Sequence, residues 1–328
     1  MPVAGGNAKL VEALSAFIGR EVGRAGGSTV ARKPAHRVKF NWPPHPVSYS
    51  YHVLASDWTG SASFEAHGET FPVEVATTPY GVFGRCNPIW LEARGNSLEN
   101  MLAEMGRTAE PLFRRQFLIA GCLERAERFS GHIRDLGPED LLKLLYCEDR
   151  DVANDARIEI ETHTGAHQFT PALIAILRDA RHPNRRSAQW CVLDLFEDLS
   201  SFCRTEAEQI DAVKAMKELL WNAEDDYART IYKAGVVLGG HIPNRLGGPT
   251  LLECLEAPSK IGRRSAIHGL FHVVEWTPSM RDEVVLALQR AADKEPVPEL
   301  REFARLMSRD IAHGDYDHIP EPVFPDEA

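Results

Sequence analysis

Two histidines and a glutamate near the C-terminal end have the residue types and the spacing of metal ligands. His268 and His272 are four positions apart in a segment with a helical pattern of apolar residues, and Glu275 follows seven positions after His268. On a helix this spacing places both imidazoles and the carboxylate along one side, where they could hold an ion such as zinc. The segment has no HExxH motif, and no further residue can be identified as a metal ligand from the sequence. A polar flank of a packed helix explains the same residues, so we predict no cofactor and keep only His268 and His272 as metal candidates.

The same three positions have counterparts earlier in the chain. The tetrapeptide RRSA at 185–188 recurs at 263–266, 78 residues later. The alignment matches two sets of three residues, namely Trp190, Asp194 and Glu197 with His268, His272 and Glu275. Tryptophan is a frequent anchor of protein interfaces, and the carboxylates add acidic character. We therefore predict that these six residues bind a protein partner; the alternative is that Trp190 is an ordinary core residue.

Other groups with chemical potential have simpler structural explanations. The arginine pairs at 185–186 and 263–264 could bind phosphate or carboxylate, but we favour ion pairs with neighbouring turns. The stretch 239–249 contains four glycines and two prolines but lacks the Lys and Ser/Thr of a phosphate-binding loop, which predicts a long connection between helices. Cysteines at 122, 147, 191, 203 and 254 fall in predicted helices, where a small buried side chain is the usual role.

The helices that carry the six residues belong to a repeating pattern. Half of the 78-residue spacing leads to Tyr227-Ala228-Arg229-Thr230, and further copies of this trailing helix are predicted at 152–160 and 300–311. A leading apolar helix precedes each copy, at 141–145, 173–177, 216–220, 251–255 and 284–288. One helix pair every 35 to 43 residues is typical of HEAT and armadillo repeats. Stacked pairs bury a continuous core that one pair cannot bury alone.

From about Gly137 to His313 the chain therefore resembles the HEAT-repeat (armadillo-like) family. The resemblance implies a right-handed α-α superhelix whose trailing helices line a concave face, and it implies protein binding far more often than catalysis. It does not extend to the catalytic members of the family. The sequence lacks the His-Glu pairs of HEAT-type deoxyhypusine hydroxylases and the basic composition that the surface of HEAT-like DNA glycosylases requires. It also contains no motif specific to bilin lyases.

Residues 47–130 have the pattern of a small α+β unit. Alternating apolar residues predict strands at 47–54, around Phe64, at 71–76, at 82–83 and at 89–91, with a turn at 67–69. Asn96 and Glu99 form a capping-box pattern before a helix, which we expect Pro111 to break or restart and which continues to about residue 129.

Part of this unit resembles the HicB-type antitoxin fold, a strand-strand-strand-helix unit. The matching segments are FPVEV, YGVFGR and WLEARGNSLENML, between Phe71 and Met105. The chain departs from that family between the second and third strands, where Cys86-Asn87-Pro88 stands in place of a Pro-Asp-x-Pro-Gly type of turn. The resemblance implies an antitoxin or immunity protein that masks its partner.

Composition excludes several classes of protein. The chain has 328 residues and a net charge of −10, which argues against binding to nucleic acid. No stretch is apolar enough to predict a membrane span, and six scattered cysteines predict neither a disulfide framework nor a zinc motif. Residues 1–46 are basic and carry one short helical pattern, and residues 314–328 form an acidic tail. We expect a cytoplasmic protein.

These observations lead to one main hypothesis. The fold is mainly α, a HEAT-like solenoid over 137–313 preceded by a small α+β domain over 47–130. The function is a protein-binding scaffold or adaptor, in its narrower form an immunity or antitoxin-type protein, with a basic protein as partner. The alternative is an enzyme or lyase-type chaperone that binds a small molecule or metal in the solenoid groove. The sequence leaves the oligomeric state open.

Overall fold

The computed structural model describes residues 53–89, 91–129 and 131–314. The predicted N-terminal helix, most of the predicted strand 47–54 and the acidic tail from residue 315 lie outside these residues. The described part of the chain is mainly helical, and a small antiparallel sheet precedes the long helices. It divides into two compact units, 53–156 and 157–314. The predicted domain boundaries at 130 and 137 stay a prediction.

The first unit opens with a four-stranded antiparallel meander in the order β1-β2-β3-β4. The strands are β1 Trp58–Ala66, β2 Glu69–Thr78, β3 Gly81–Cys86 and β4 Leu91–Gly95. His67 and Gly68 join the first two strands with φ values of 50° and 75°, as a two-residue turn with two left-handed positions requires. The turn predicted at 67–69 is therefore confirmed. The strand predicted at 89–91 begins later than expected, because Ile89 belongs to a 3₁₀ turn at 87–89 and the observed strand starts at Leu91.

One face of this sheet packs on helix α1, Leu98–Cys122. The shared core contains the buried side chains of alternate strand positions and of one helix stripe: Phe64, Phe71, Val73, Val75, Leu91, Ala93, Met101, Met105, Ala109 and Phe113. The period of two on the strands and the helical spacing on α1 meet in this core. Helices α2, Pro138–Leu144, and α3, Arg150–Thr162, follow.

Three predictions about α1 are wrong, namely its cap, its break at Pro111 and its continuation to about residue 129. Ser97 caps the helix by accepting a hydrogen bond from the backbone N–H of Asn100, so the cap lies one position after the predicted Asn96 and the helix begins at Leu98. Pro111 lies inside the helix, which continues to Cys122. Proline removes one backbone hydrogen bond and costs about 3 kcal/mol or more in a helix, but Ala109 and Phe113 on either side are fully buried. Their burial against the sheet holds the helix through the proline.

The second unit consists of helices in alternating leading and trailing positions. Their bounds are α4 Thr170–Leu177, α5 Arg185–Leu195, α6 Leu199–Phe202, α7 Glu206–Trp221, α8 Ala228–Gly240, α9 Asn244–Cys254, α10 Lys260–Trp276, α11 Arg281–Lys294 and α12 Pro298–His313. Each predicted leading and trailing segment coincides with a helix. Cys147 and Cys203 differ from the prediction, since each lies just after a helix end.

Contacts in this unit link helices one repeat apart. The leading helices α4, α7 and α9 contact one another in succession, and so do the trailing helices α5, α8, α10 and α12. Ion pairs follow the same rule: Arg178 pairs with Glu218, 40 residues on, and Lys294 pairs with Glu256, 38 residues back. The spacing found in the sequence is therefore also the spacing of side-chain contacts.

The glycine-rich stretch 239–249 is not the long loop that we predicted. Gly239 and Gly240 end α8, and Gly247, Gly248 and Pro249 lie inside α9. A Cβ atom on Gly247 would overlap the carbonyl oxygen of Leu238. A Cβ atom on Gly239 would likewise overlap the carbonyl oxygen of Gly269, so these two glycines are explained by a close approach of backbones, which a larger side chain would prevent. Among the described helices, none combines the length and the hydropathy needed to cross a membrane.

Candidate partner-binding face

The six predicted site residues and three further residues between them belong to three consecutive trailing helices, and we call this set the trailing-helix face. It consists of Trp190, Asp194 and Glu197 at α5 and the turn after it, Arg229, Tyr232 and Lys233 on α8, and His268, His272 and Glu275 on α10. Helix α8 contacts both α5 and α10. The residues of α8 therefore connect the two sets that the sequence alignment had matched.

Trp190 is the centre of the first half of this face. The side chain is partly exposed, and two cations of α8 lie against its ring. The Arg229 guanidinium carbon is 4.8 Å from the ring centroid and the Lys233 ammonium is 4.6 Å from it. Such cation–π contacts orient both partners, so the indole is held in place before any ligand arrives.

Lys233 joins the indole to the two carboxylates of α5. Its ammonium contacts Asp194 and lies 3.3 Å from the Glu197 carboxylate, and the Arg157 guanidinium lies 3.8 Å from Asp194 on the other side. Burial of Lys233 and the nearby charge of Arg157 lower its pKa to about 8. Cys191 acts in the opposite direction and raises the pKa of Lys233.

A chain of hydrogen bonds forms the second half of the face. The Tyr232 hydroxyl lies 2.8 Å from Nε2 of His268, which lies 3.2 Å from Nε2 of His272. Nδ1 of His272 lies 3.2 Å from the Glu275 carboxylate. Burial lowers the pKa of His272, and His268 and His241 lower it further by their charge, whereas Glu275 acts against them. The neutral imidazole is the favoured form of His272.

The structure places five of the six predicted residues on trailing helices and Glu197 in the turn after α5, but it does not join the two sets directly. Trp190, Asp194 and Glu197 meet the cations of α8, and His268 meets Tyr232. The sequence-based reasoning missed Arg229 and Lys233. A shift of 39 positions, half of the 78-residue spacing, leads from Trp190 to Arg229 and from Asp194 to Lys233. Use of that shift on α8 would have found both.

The arginine pairs form structural contacts between neighbouring repeats. Arg185 and Arg186 pair with the acids of the turn before α8, at 3.4 Å from Glu224 and 2.8 Å from Asp226. Arg263 forms two hydrogen bonds with Glu295, and the Arg264 guanidinium carbon lies 5.1 Å from the centre of the Tyr232 ring. The interpretation as ion pairs with neighbouring turns holds for Arg185, Arg186 and Arg263.

Two further observations concern metal-ligand groups and cavities. Within residues 53–89, 91–129 and 131–314, no group of three or more His, Cys, Asp or Glu side chains is arranged to hold a metal ion. A cavity of about 150 Å³ lies among the turns before α5 and α8, and its lining includes Asp179, Arg185, Gln189 and Tyr227. None of the nine residues of the trailing-helix face lines it.

Comparison with known proteins gave no match to a protein-family model, to a curated protein or to a solved structure.

Proposed function

We propose that this chain is a HEAT-like helical-repeat scaffold that binds a protein partner on its trailing-helix face. Support comes from the succession of contacts among leading helices and among trailing helices, which is how stacked helix pairs bury a common core. In the narrower version, binding masks the partner, as the resemblance of the N-terminal unit to the HicB-type fold implies.

The observation that carries the proposal is the arrangement around Trp190. Interface hot spots are enriched in Trp, Tyr and Arg, and the partly exposed Trp190 has Arg229 beside it and Tyr232 on the same helix as Arg229. The cation–π contacts fix the indole, so little side-chain entropy is lost when a partner covers it.

Charge on the face favours a basic partner. The acids are the more exposed groups, at 44% of the side chain for Glu197 and 53% for Glu275, whereas the Lys233 side chain is only 13% exposed. Arg229 is the exposed cation among them. The described helical unit is close to neutral, with 20 Lys and Arg against 23 Asp and Glu between 157 and 314. The exposed carboxylates of the trailing-helix face therefore favour a basic partner, whereas the net charge of the helical unit does not.

The test is affinity capture from native lysate with the full-length chain, eluted by a salt step, in parallel for the wild type and Trp190→Ala. We expect one basic protein in stoichiometric amount, released by salt because screening weakens contacts between exposed charges. Loss of a hot-spot tryptophan costs about 2 kcal/mol or more, so the affinity of Trp190→Ala should fall by roughly 30-fold.

The matched control is Trp221→Ala. Trp221 ends the leading helix α7 and also has a lysine against its ring, with the Lys217 ammonium 5.5 Å from the centroid, but it lies outside the trailing-helix face. Its variant should retain the partner. Equal retention by the wild type and Trp190→Ala, or no retained protein, would contradict the proposal.

The alternative is an enzyme or lyase-type chaperone that binds a small molecule or metal in the groove. The observation that favours it is the hydrogen-bonded chain from Tyr232 to Glu275, since linked imidazoles can transfer protons. Elemental analysis of the wild type and of the double variant His268→Ala with His272→Ala distinguishes the two. A stoichiometric metal that the double variant loses would support the alternative. No metal, together with unchanged stability of the double variant, would remove it.

A further inference from the structure

The cavity of about 150 Å³ in the second unit is lined by the ends of α4 and α7, by α5 and by the turn before α8. A cavity of about this size can hold one benzene ring, so it suits a small molecule or a single side chain. None of its lining residues belongs to the trailing-helix face. A ligand bound here would therefore not compete for that face.

Gln189 on α5 has an unused hydrogen-bond acceptor in this cavity wall. Its amide nitrogen lies 3.1 Å from the carbonyl oxygen of Leu177 and 2.9 Å from that of Asp179. These contacts fix the orientation of the amide, because a carbonyl oxygen only accepts. The side-chain oxygen Oε1 accepts no hydrogen bond from the residues that the structure describes, although Gln189 is only 1% exposed.

Asp179, in the turn after α4, has the same property. Its Oδ1 accepts hydrogen bonds from the backbone N–H groups of Arg181, at 2.8 Å, and His182, at 3.2 Å. Both donors are neutral amides. Oδ2 has no hydrogen-bond partner within the described part of the chain, and Asp179 is 8% exposed. Buried acceptors without a donor cost free energy, so a ligand that supplies two donors would remove an existing cost.

The charges of the lining leave one acid in excess. Arg178 donates to Glu218 at 2.9 Å and to Asp211 at 2.8 Å, and Arg185 lies 3.4 Å from Glu224. Both arginines that line the cavity are thus paired with acids. The lining contains these two arginines against three acids, so a ligand with one positive charge would neutralise it.

We propose that this cavity binds a guanidinium group, which donates N–H groups to the unused oxygens of Asp179 and Gln189. A guanidinium carries one positive charge and several N–H donors in a plane, and it has no acceptor. These properties match two acceptors and one excess acid. Leu219 and the ring of Tyr227 contribute apolar wall, against which a planar, weakly hydrated cation can pack.

The test is isothermal titration calorimetry of the full-length chain with propylguanidinium, which is the side chain of arginine without its backbone. We expect saturable binding with one site per chain. Propylurea has the same shape, but it is neutral, and a carbonyl oxygen replaces one donor group. Hydrogen bonds to charged groups contribute more than neutral ones, so propylurea should bind at least about 10-fold more weakly.

Asp179→Asn removes the charge while keeping the size of the side chain and one oxygen for the turn. Its affinity for propylguanidinium should fall by about 10-fold. The matched control is Asp198→Asn, because Asp198 also accepts from a backbone N–H group, that of Ser201, but does not line the cavity. The control should bind as the wild type does. The comparison with propylurea needs no variant and decides the proposal even where Asp179→Asn fails to fold.

A guanidinium has two sources, a free small molecule and the arginine of a protein. A glycine-arginine-glycine peptide with blocked ends is therefore titrated in parallel. Tighter binding of the peptide than of propylguanidinium would assign the group to a protein, and the reverse order would assign it to a small molecule. Equal affinity for propylguanidinium and propylurea, an unchanged affinity of folded Asp179→Asn, or no saturable binding of either guanidinium probe would overturn the proposal.

Discussion

Arg263 on α10 binds Glu295, at the end of α11, through two parallel hydrogen bonds. Nε lies 2.7 Å from one carboxylate oxygen and Nη2 lies 2.9 Å from the other. The Glu295 side chain is 5% exposed, and Arg263 also donates to the carbonyl oxygens of Ala257 and Pro258. Burial alone would raise the pKa of Glu295, but the bonds from Arg263 and from the Val297 N–H outweigh it, so the pKa is lowered. The ion pair links α10 to the end of α11.

Replacement of Arg263 by alanine should therefore destabilise the fold strongly. It leaves the carboxylate of Glu295 buried without its cation, which costs about 3–5 kcal/mol. Urea unfolding followed by helical circular dichroism measures the loss. Arg245→Ala is the control, because Arg245 and its partner Glu206 are both exposed, and such surface pairs contribute only about 0–1 kcal/mol. Equal losses in the two variants would contradict the assigned role of burial.

The lowered pKa of His272 predicts a loss of stability in acid. The unfolded chain binds a proton at this histidine near the ordinary pKa of 6.5, whereas the folded protein resists it because of burial and of His268 and His241. The unfolded state thus holds more protons in this pH range, and the free energy of unfolding falls as the pH falls below 6.5. Unfolding curves at several pH values measure the slope.

His272→Gln removes the titrating group while keeping a polar side chain of similar length. Its unfolding free energy should fall less steeply with acid than that of the wild type. A matched control is His313→Gln, because His313 is exposed at the end of α12. If the His272 variant and the wild type have the same pH slope, His272 is not the group that titrates.

Many helices of this unit could be predicted because the sequence repeat is visible in local patterns of apolar residues. Leading and trailing helices were found from apolar spacing and from the recurrence of RRSA, since each helix must bury one stripe against its neighbours. The glycine stretch misled the prediction, because glycine signals both loops and close packing. Only the position of Gly247 against the carbonyl oxygen of Leu238 distinguishes the two.

The candidate site could be predicted only in outline. Alignment over 78 residues found Trp190 and His268, but it skipped the helix between them, and the partners of Trp190 come from that helix. Alignment of Ala228 with Ala188, 40 positions earlier, places Thr230 opposite Trp190, yet Thr230 is fully buried. Rotation of a helix about its axis is a property of packing between helices, and the repeat length alone does not determine it.

Close packing between α8 and α10 predicts that Gly239→Ala is destabilising. A Cβ atom there would overlap the carbonyl oxygen of Gly269, and the backbones would have to separate, at a cost of about 1–3 kcal/mol. Gly106→Ala is the control, because Gly106 lies inside α1 with no atom near its Cβ position. Alanine there should stabilise by about 0.5–1 kcal/mol. Urea midpoints that move in the same direction for both variants would refute the packing explanation.

Lys233→Gln tests whether the trailing-helix face is preorganised by its buried cation. The variant leaves Asp194 and Glu197 with Arg157 at 3.8 Å as the remaining cation near Asp194, and it removes the contact with Trp190. Hydrogen bonds to charged groups contribute about 1.5–3 kcal/mol, so the free energy of unfolding should fall by about that amount.

Lys217→Gln is matched to it, because Lys217 also pairs with an acid, Glu253, and lies against a tryptophan ring. Both groups of that pair are more exposed, so its loss should cost at most about 1 kcal/mol and should disappear in high salt, which screens exposed charges more than buried ones. The effect of Lys233→Gln should persist in high salt. A loss at Lys233 that salt abolishes would mean that Lys233 is a surface charge and that the indole of Trp190 is not held in place by it.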